Sequence, residues 1–176
     1  MEILLTLLIA ISLSMDTFSL SLAYGTLNMS KKNILTLSTI VGIYHFIMPL
    51  IGLFLGTIIL SFLPIKPKII TAIVLIVIGI QMLLGDSKNK KEIKNLNPFE
   101  MSLFGLAVSI DSFSIGLGLK EINSNYILAA LIFFIVSFMF TYVGLLLGKK
   151  INNLIGNIST ILGGLSLIII GICFLL

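Results

Sequence analysis

Six runs of apolar residues follow one another along this chain, each ended by polar or proline-bearing punctuation. They cover Ile3–Tyr24, Ile34–Leu63, Ile69–Leu84, Phe99–Leu119, Tyr126–Leu147 and Leu154–Leu176. A helix needs about 20 apolar residues to cross the hydrocarbon of a bilayer. The pattern therefore predicts six transmembrane helices, the second long and the third short. Pro64 and Pro67, with Lys66 and Lys68, separate the second from the third. The segment DSKNKKEIKNLNP, residues 86–98, separates the third from the fourth and is the longest loop.

The six runs fall into two similar sets of three. Ser14-Met-Asp-Thr-Phe-Ser19 in the first span matches Ser109-Ile-Asp-Ser-Phe-Ser114 in the fourth, 95 residues on. Ile51-Gly-Leu-Phe-Leu-Gly56 matches Val143-Gly-Leu-Leu-Leu-Gly148, and Val77-Ile-Gly-Ile80 matches Ile169-Ile-Gly-Ile172, both 92 residues on. An odd number of spans per repeat forces the two halves into opposite orientations, an arrangement characteristic of secondary transporters. The expected fold is an all-α integral membrane protein of six transmembrane helices arranged as two inverted three-helix repeats. Residues 1–85 form the first repeat, 86–98 a cytoplasmic connecting loop, and 99–176 the second repeat.

Composition supports the membrane assignment. The chain is 58% hydrophobic and 10% charged, against about 25% charged for an ordinary soluble domain. Eleven basic residues, all lysine, give a net charge of +4. They are scattered over short loops without a basic patch and interleaved aromatics, so a nucleic-acid partner is not expected. Eight of them lie in the loops after spans one, three and five, and three on the opposite side. By the positive-inside bias the odd loops are cytoplasmic and both termini lie outside. The single Cys173 allows no internal disulfide. No basic segment precedes the first apolar run, so the first span is expected to be retained rather than cleaved.

Candidate chemistry centres on two acids. Asp16 and Asp111 each fall about twelve or thirteen residues into a span, roughly 18–20 Å deep at 1.5 Å per residue. An ionised carboxylate near the bilayer centre costs at least about 2.5–3.5 kcal/mol on insertion scales. Every lysine lies in or beside a loop, and His45 in span two is the one intramembrane group able to become cationic. The acids are then protonated, share a proton as a close pair, or meet an external cation. Helical spacing brings Ser12 and Ser19 to the face of Asp16, and Ser114 to that of Asp111, with Ser109 and Ser112 nearby. Two carboxylates with hydroxyls, carbonyls and water suit a hard divalent ion such as Mn²⁺ or Mg²⁺. His45 is a further candidate ligand or proton carrier, and the repeat sets Ser137 opposite it. Pro49 withholds an N–H from its helix and frees a carbonyl. Gly52-xxx-Gly56 and Gly144-xxx-Gly148 offer small faces for close helix contact. Gln81 is a polar residue in span three without a polar counterpart, since Cys173 takes its place in the repeat.

The elements SMDTFSLS in the first span, HFIMPLIGLFLG in the second and SIDSFSIG in the fourth resemble those of the MntP family of bacterial manganese efflux pumps. The resemblance runs along the whole chain. It implies export of Mn²⁺ from the cytoplasm across the plasma membrane of a bacterial cell, with Asp16 and Asp111 as the acids carried over by motif. The chain departs from the family where Thr17 and Ser19 stand in place of alanines and where the element ends Ala23-Tyr24-Gly25. The expected protein is no enzyme and carries no cofactor. Mn²⁺ is its substrate, bound by Asp16 and Asp111 with Ser12, Ser19, Ser114 and His45 as further candidates, and the lipid bilayer is its surrounding. No GxxxxGK[ST] element is present, so an ion gradient or the membrane potential would drive the cycle. The alternatives are an exporter of another cation or small solute, and a non-transporting membrane protein of the sporulation type.

Overall fold

A computed structural model describes residues 2–27, 29–62, 67–84, 97–155 and 157–175. Pro64, Lys66, the loop 86–96, and the side chains around Gly56 and Gln81 lie outside the described residues. Seven helices are present there: α1 (Glu2–Gly25), α2 (Lys31–Phe62), α3 (Pro67–Leu84), α4 (Pro98–Leu117), α5 (Leu119–Ile122), α6 (Tyr126–Ile155) and α7 (Asn157–Leu175). Six are long and α5 is a single turn. Among the described residues, four stretches are long and apolar enough to span a bilayer: Glu2–Gly25, Lys31–Leu55, Pro98–Leu117 and Tyr126–Leu154. The shorter apolar stretch Ile161–Cys173 belongs to α7.

Local chemistry explains the helix ends. Asn97 caps α4 by accepting a bond from the Phe99 N–H at 3.1 Å, and Pro98 follows at the first helical position, where no N–H is needed. Asn125 receives the Leu128 N–H at the start of α6. The polar tail of α6 differs from the expectation. Lys149, Lys150, Asn152 and Asn153 continue the helix to Ile155 instead of forming a loop. The Lys149 ammonium reaches back 2.8 Å to the Met29 carbonyl at the α1–α2 connection, which favours this extension.

The helices pair across the two halves. The most extensive packing joins α1 with α6, α2 with α4, α3 with α7 and α2 with α6. Exchanging the halves turns α1·α6 into α4·α2 and returns α3·α7 and α2·α6 to themselves. The same exchange relates close glycine contacts. Gly144 faces the Phe18 carbonyl, and Gly52 faces that of Phe113 at the equivalent place. Gly79 packs on the Gly164 carbonyl as Gly171 packs on that of Ala72. Gly42 meets the ring of Phe134, its own counterpart 92 residues on, so that contact lies where the halves meet.

Two apolar clusters mark the ends of the molecule. One joins Leu20, Ala23, Tyr24, Met29, Ile34, Leu37, Val41, Phe104, Val108 and Leu145, with Tyr24 stacked on Phe104 at 4.8 Å. The other joins Ala10, Leu119, Ala129 and Phe133, with Leu53, Ile115 and Val136 packed on it. Between them every one of the four helices carries buried polar groups: Ser14 and Thr17 on α1, His45 on α2, Ser109 and Ser112 on α4, Ser137 and Thr141 on α6. The order of clusters along the chain shows that α1 and α4 run in opposite directions across this belt, as do α2 and α6.

Candidate functional site

The polar belt is organised around two residues at equivalent positions, His45 and Ser137. His45 is fully buried, with Nδ1 3.0 Å from the Val41 carbonyl. A carbonyl only accepts, so Nδ1 carries the proton and the neutral ring offers Nε2 as an acceptor. The Thr17 hydroxyl lies 3.4 Å from Nε2 and donates to it. Ser137 pairs with Ser14, Oγ to Oγ at 3.0 Å. Thr141 donates to the Ser137 carbonyl at 2.7 Å, four residues back. At the matching place on α2, Pro49 has no N–H to give the carbonyl of His45. Ser14 and Thr17 stand three apart on α1 and so share the face that meets α2 and α6.

The aspartates lie on the flanks of this belt. Asp111 is half-buried, and its Oδ1 accepts from the Ser112 N–H at 2.7 Å and from the Ser112 hydroxyl at 3.4 Å. Those two bonds both fall on one carboxylate oxygen, Oδ1. Asp16 is exposed, in a stripe with Ser12, Met15 and Ser19 on one side of α1. The two halves therefore present the same acid in different settings.

Of the predicted hydroxyls, Ser12 and Ser19 share the stripe of Asp16. They donate to the carbonyls of Leu8 (2.9 Å) and Met15 (3.0 Å) on their own helix. Such a bond uses the hydroxyl proton and leaves the oxygen able to accept. Ser114 is exposed on α4. His45 faces inward to Thr17 and Val41. Among the described residues no group of three or more His, Cys, Asp or Glu side chains is placed to hold a metal ion. Two carboxylates would thus have to be supplemented by neutral oxygens: hydroxyls, carbonyls and water. That donor set fits a hard divalent cation and does not fit a tight nitrogen–sulfur centre.

Helical spacing points to the serines three and four positions from each aspartate and not to Ser14 or Thr17. The repeat carries part of the signal, because Ser14 aligns with Ser109 and Thr17 with Ser112, but it also aligns Ser19 with Ser114. Of the three hydroxyl pairs that recur beside the acids, Ser14/Ser109 and Thr17/Ser112 are buried, whereas Ser19 and Ser114 are exposed.

Comparison with known proteins identifies the family. The family described as "Putative manganese efflux pump" (Mntp) matches residues 28–175. A relative of that description from Bacillus licheniformis is 35% identical over 176 residues, covering 99% of this chain and 95% of its own length. Another from Methanobrevibacter smithii is 38% identical over 174 residues, covering 97% and 95%. A third, from Bacillus pumilus, is 34% identical over 173 residues. No solved structure matches the chain. With matched residues spanning nearly its entire length, this chain belongs to the MntP family.

Proposed function

We propose that this protein exports Mn²⁺ from the cytoplasm, binding it between Asp16 and Asp111 and exposing it to either side of the membrane in turn. The observation that carries the reading is the placement of two aspartates at equivalent positions of α1 and α4, oppositely directed helices that pack on one another. Two ionised carboxylates brought together in a low-dielectric setting would repel, and one divalent cation neutralises both. Oδ2 of Asp111 and the Asp16 carboxylate supply the anionic ligands. The hydroxyl oxygens of Ser12, Ser19 and Ser114 and the Pro49-released carbonyl of His45 are the neutral donors within the same region of the helices. His45 itself serves the belt through Thr17 rather than the ion.

The halves act as inverted repeats. Their exchange preserves the helix pairing and the glycine contacts, so a conformation with the roles of the halves reversed uses the same interfaces. Asp16 exposed and Asp111 half-buried is then one of two related states. The lysine-rich connections face the cytoplasm and both termini lie outside. Work is drawn from an ion gradient or the membrane potential, and the protein performs transport without covalent chemistry on its cargo.

Uptake into inside-out vesicles tests the reading. Vesicles carrying the protein should accumulate Mn²⁺ in preference to Mg²⁺ and Ca²⁺, and cells lacking it should grow poorly in excess manganese. Equal uptake with and without the protein would sink the proposal, and uptake of a different cation alone would reassign the substrate.

A further inference from the structure

The hydroxyl residues that directly follow the two aspartates, Thr17 and Ser112, occupy equivalent positions and are bonded differently. The Thr17 hydroxyl lies 3.4 Å from His45 Nε2. The Ser112 hydroxyl lies 3.4 Å from Asp111 Oδ1. Both side chains are fully buried, so neither hydroxyl has water as an alternative. Both contacts are long for hydroxyl bonds, whose usual separation is about 2.7–2.8 Å. Each hydroxyl is thus held by one long contact, Thr17 by the residue where the halves meet and Ser112 by the neighbouring carboxylate.

Exchange of the halves specifies the other arrangement. The pair Thr17–His45 becomes Ser112–Ser137, and Ser14–Ser137 becomes Ser109–His45. In the present arrangement Ser109 has turned instead to its own helix, donating to the Leu106 carbonyl at 3.1 Å. Ser112 has turned to Asp111. Both are free to make the exchanged bonds without breaking a contact to another helix. Ser112 on Asp111 also shows that a hydroxyl can reach the preceding carboxylate along this helix, so Thr17 can reach Asp16 in the same way.

We infer that Thr17 and Ser112 are paired positioning residues that alternate: in each state one orients its neighbouring aspartate for the cation while the other is withdrawn to the axial residue, His45 or Ser137. The inference rests on the proposed alternating access. It adds that the hydroxyl bond, rather than the carboxylate alone, ties the shape of the site to the side on which it is open. The asymmetric axial pair makes the two states unequal. An imidazole nitrogen receives Thr17 in one, and a hydroxyl receives Ser112 in the other.

The consequence is sidedness. Removing the Ser112 hydroxyl should weaken Mn²⁺ binding in the state where Asp111 is oriented, and removing that of Thr17 should weaken it in the opposite state. Initial rates of ⁵⁴Mn²⁺ movement measured from each face, in right-side-out and inside-out vesicles, read the two affinities separately. For S112A the half-saturating Mn²⁺ concentration should rise roughly three- to tenfold at one face, the loss of one hydrogen bond of ordinary strength, as its length implies, and stay unchanged at the other. T17V should show the reverse pattern, and T17S and S112T, which keep the hydroxyl, should behave as wild type at both faces. Equal shifts at both faces, or none, would overturn the alternation while leaving Mn²⁺ efflux intact. A wild-type protein that moves no Mn²⁺ from either face would instead remove the transport reading and this inference with it. Should T17V not reach the membrane, the one-sided or two-sided effect of S112A decides the matter alone.

Discussion

Gly52 of α2 and Gly116 of α4 pack backbone to backbone: a Cβ built on Gly52 would lie 3.1 Å from the Gly116 Cα, and one on Gly116 would lie 2.8 Å from the Gly52 Cα. Each would also run into a carbonyl of the facing helix, of Phe113 or of Pro49. Backbone cannot yield as a flexible side chain can. Close approach of this kind is how helices gain packing energy in a bilayer, where no hydrophobic force drives them together. It also brings α4, which carries Asp111, against the proline-bearing stretch of α2 that follows His45.

Gly52→Ala and Gly116→Ala should therefore destabilise the protein by about 1–3 kcal/mol each, the usual cost of overpacking. Gly118→Ala serves as the control, since the nearest atom to its Cβ would be 4.0 Å away. Thermal unfolding in detergent should show lowered midpoints for the first two and a near-native value for the third. An unchanged midpoint for Gly116→Ala would mean the helices separate more readily than this contact implies.

The Ser14–Ser137 bond should be measurable as a coupling. Both side chains are buried, so removing one hydroxyl leaves the other without its partner. Ser14→Ala and Ser137→Ala should each cost about 1–3 kcal/mol. The double variant should cost less than the sum, by roughly 0.5–1.5 kcal/mol. Strict additivity in a denaturation series would show that the pair does not interact.

Much of the helical plan was legible in the apolar runs, because a span must bury or expose apolar surface over a fixed length. Tyr126 as the start of α6 and Leu84 as the end of α3 were read directly. The far end of α6 was not. Lys149 and Lys150 look like loop residues until the Met29 carbonyl, 120 positions away, is known to receive one of them. The site divides along the same line. Aspartates deep in apolar runs announce themselves by their cost, whichever way the helix turns. Which hydroxyls are buried depends on the rotation of α1 against α6 and α2, and a single helix cannot reveal it. Hence spacing alone points to Ser12 and Ser19, while Ser14 and Thr17 face the partner helices.

One end of the molecule is closed by a short relay. The Asn123 side chain donates to the Thr6 hydroxyl at 3.1 Å, and Thr6 donates onward to the Glu2 carbonyl at 2.8 Å. Thr6→Val keeps the shape and removes the oxygen, leaving a buried Asn123 N–H without its acceptor. A loss of about 1–3 kcal/mol is expected. Glu2→Gln is the contrast, because its exposed side chain can still accept from Ser124; it should shift stability by less than about 0.5 kcal/mol. Melting curves of the two variants, compared at one detergent concentration, distinguish a buried relay from surface decoration.

Asp111→Asn separates a transport site from a structural one by the sign of two effects. The substitution preserves size and an acceptor oxygen for Ser112, but removes the charge. If the carboxylate is kept for a cation, Mn²⁺ export should fall at least about a hundredfold, beyond the 10–100-fold typical of losing an outer-shell partner. Stability should meanwhile hold or rise, since an ionised group near mid-bilayer costs at least about 2.5–3.5 kcal/mol. If the carboxylate instead held the helices together, stability should fall and export should follow it only through the amount of folded protein. Asp16→Asn should repeat the first pattern, with a smaller gain in stability because Asp16 is the more exposed of the two. Measuring Mn²⁺ flux per folded molecule, with unfolding midpoints on the same preparations, reads both signs at once. A destabilised Asp111→Asn protein with wild-type flux per molecule would remove Asp111 from the site.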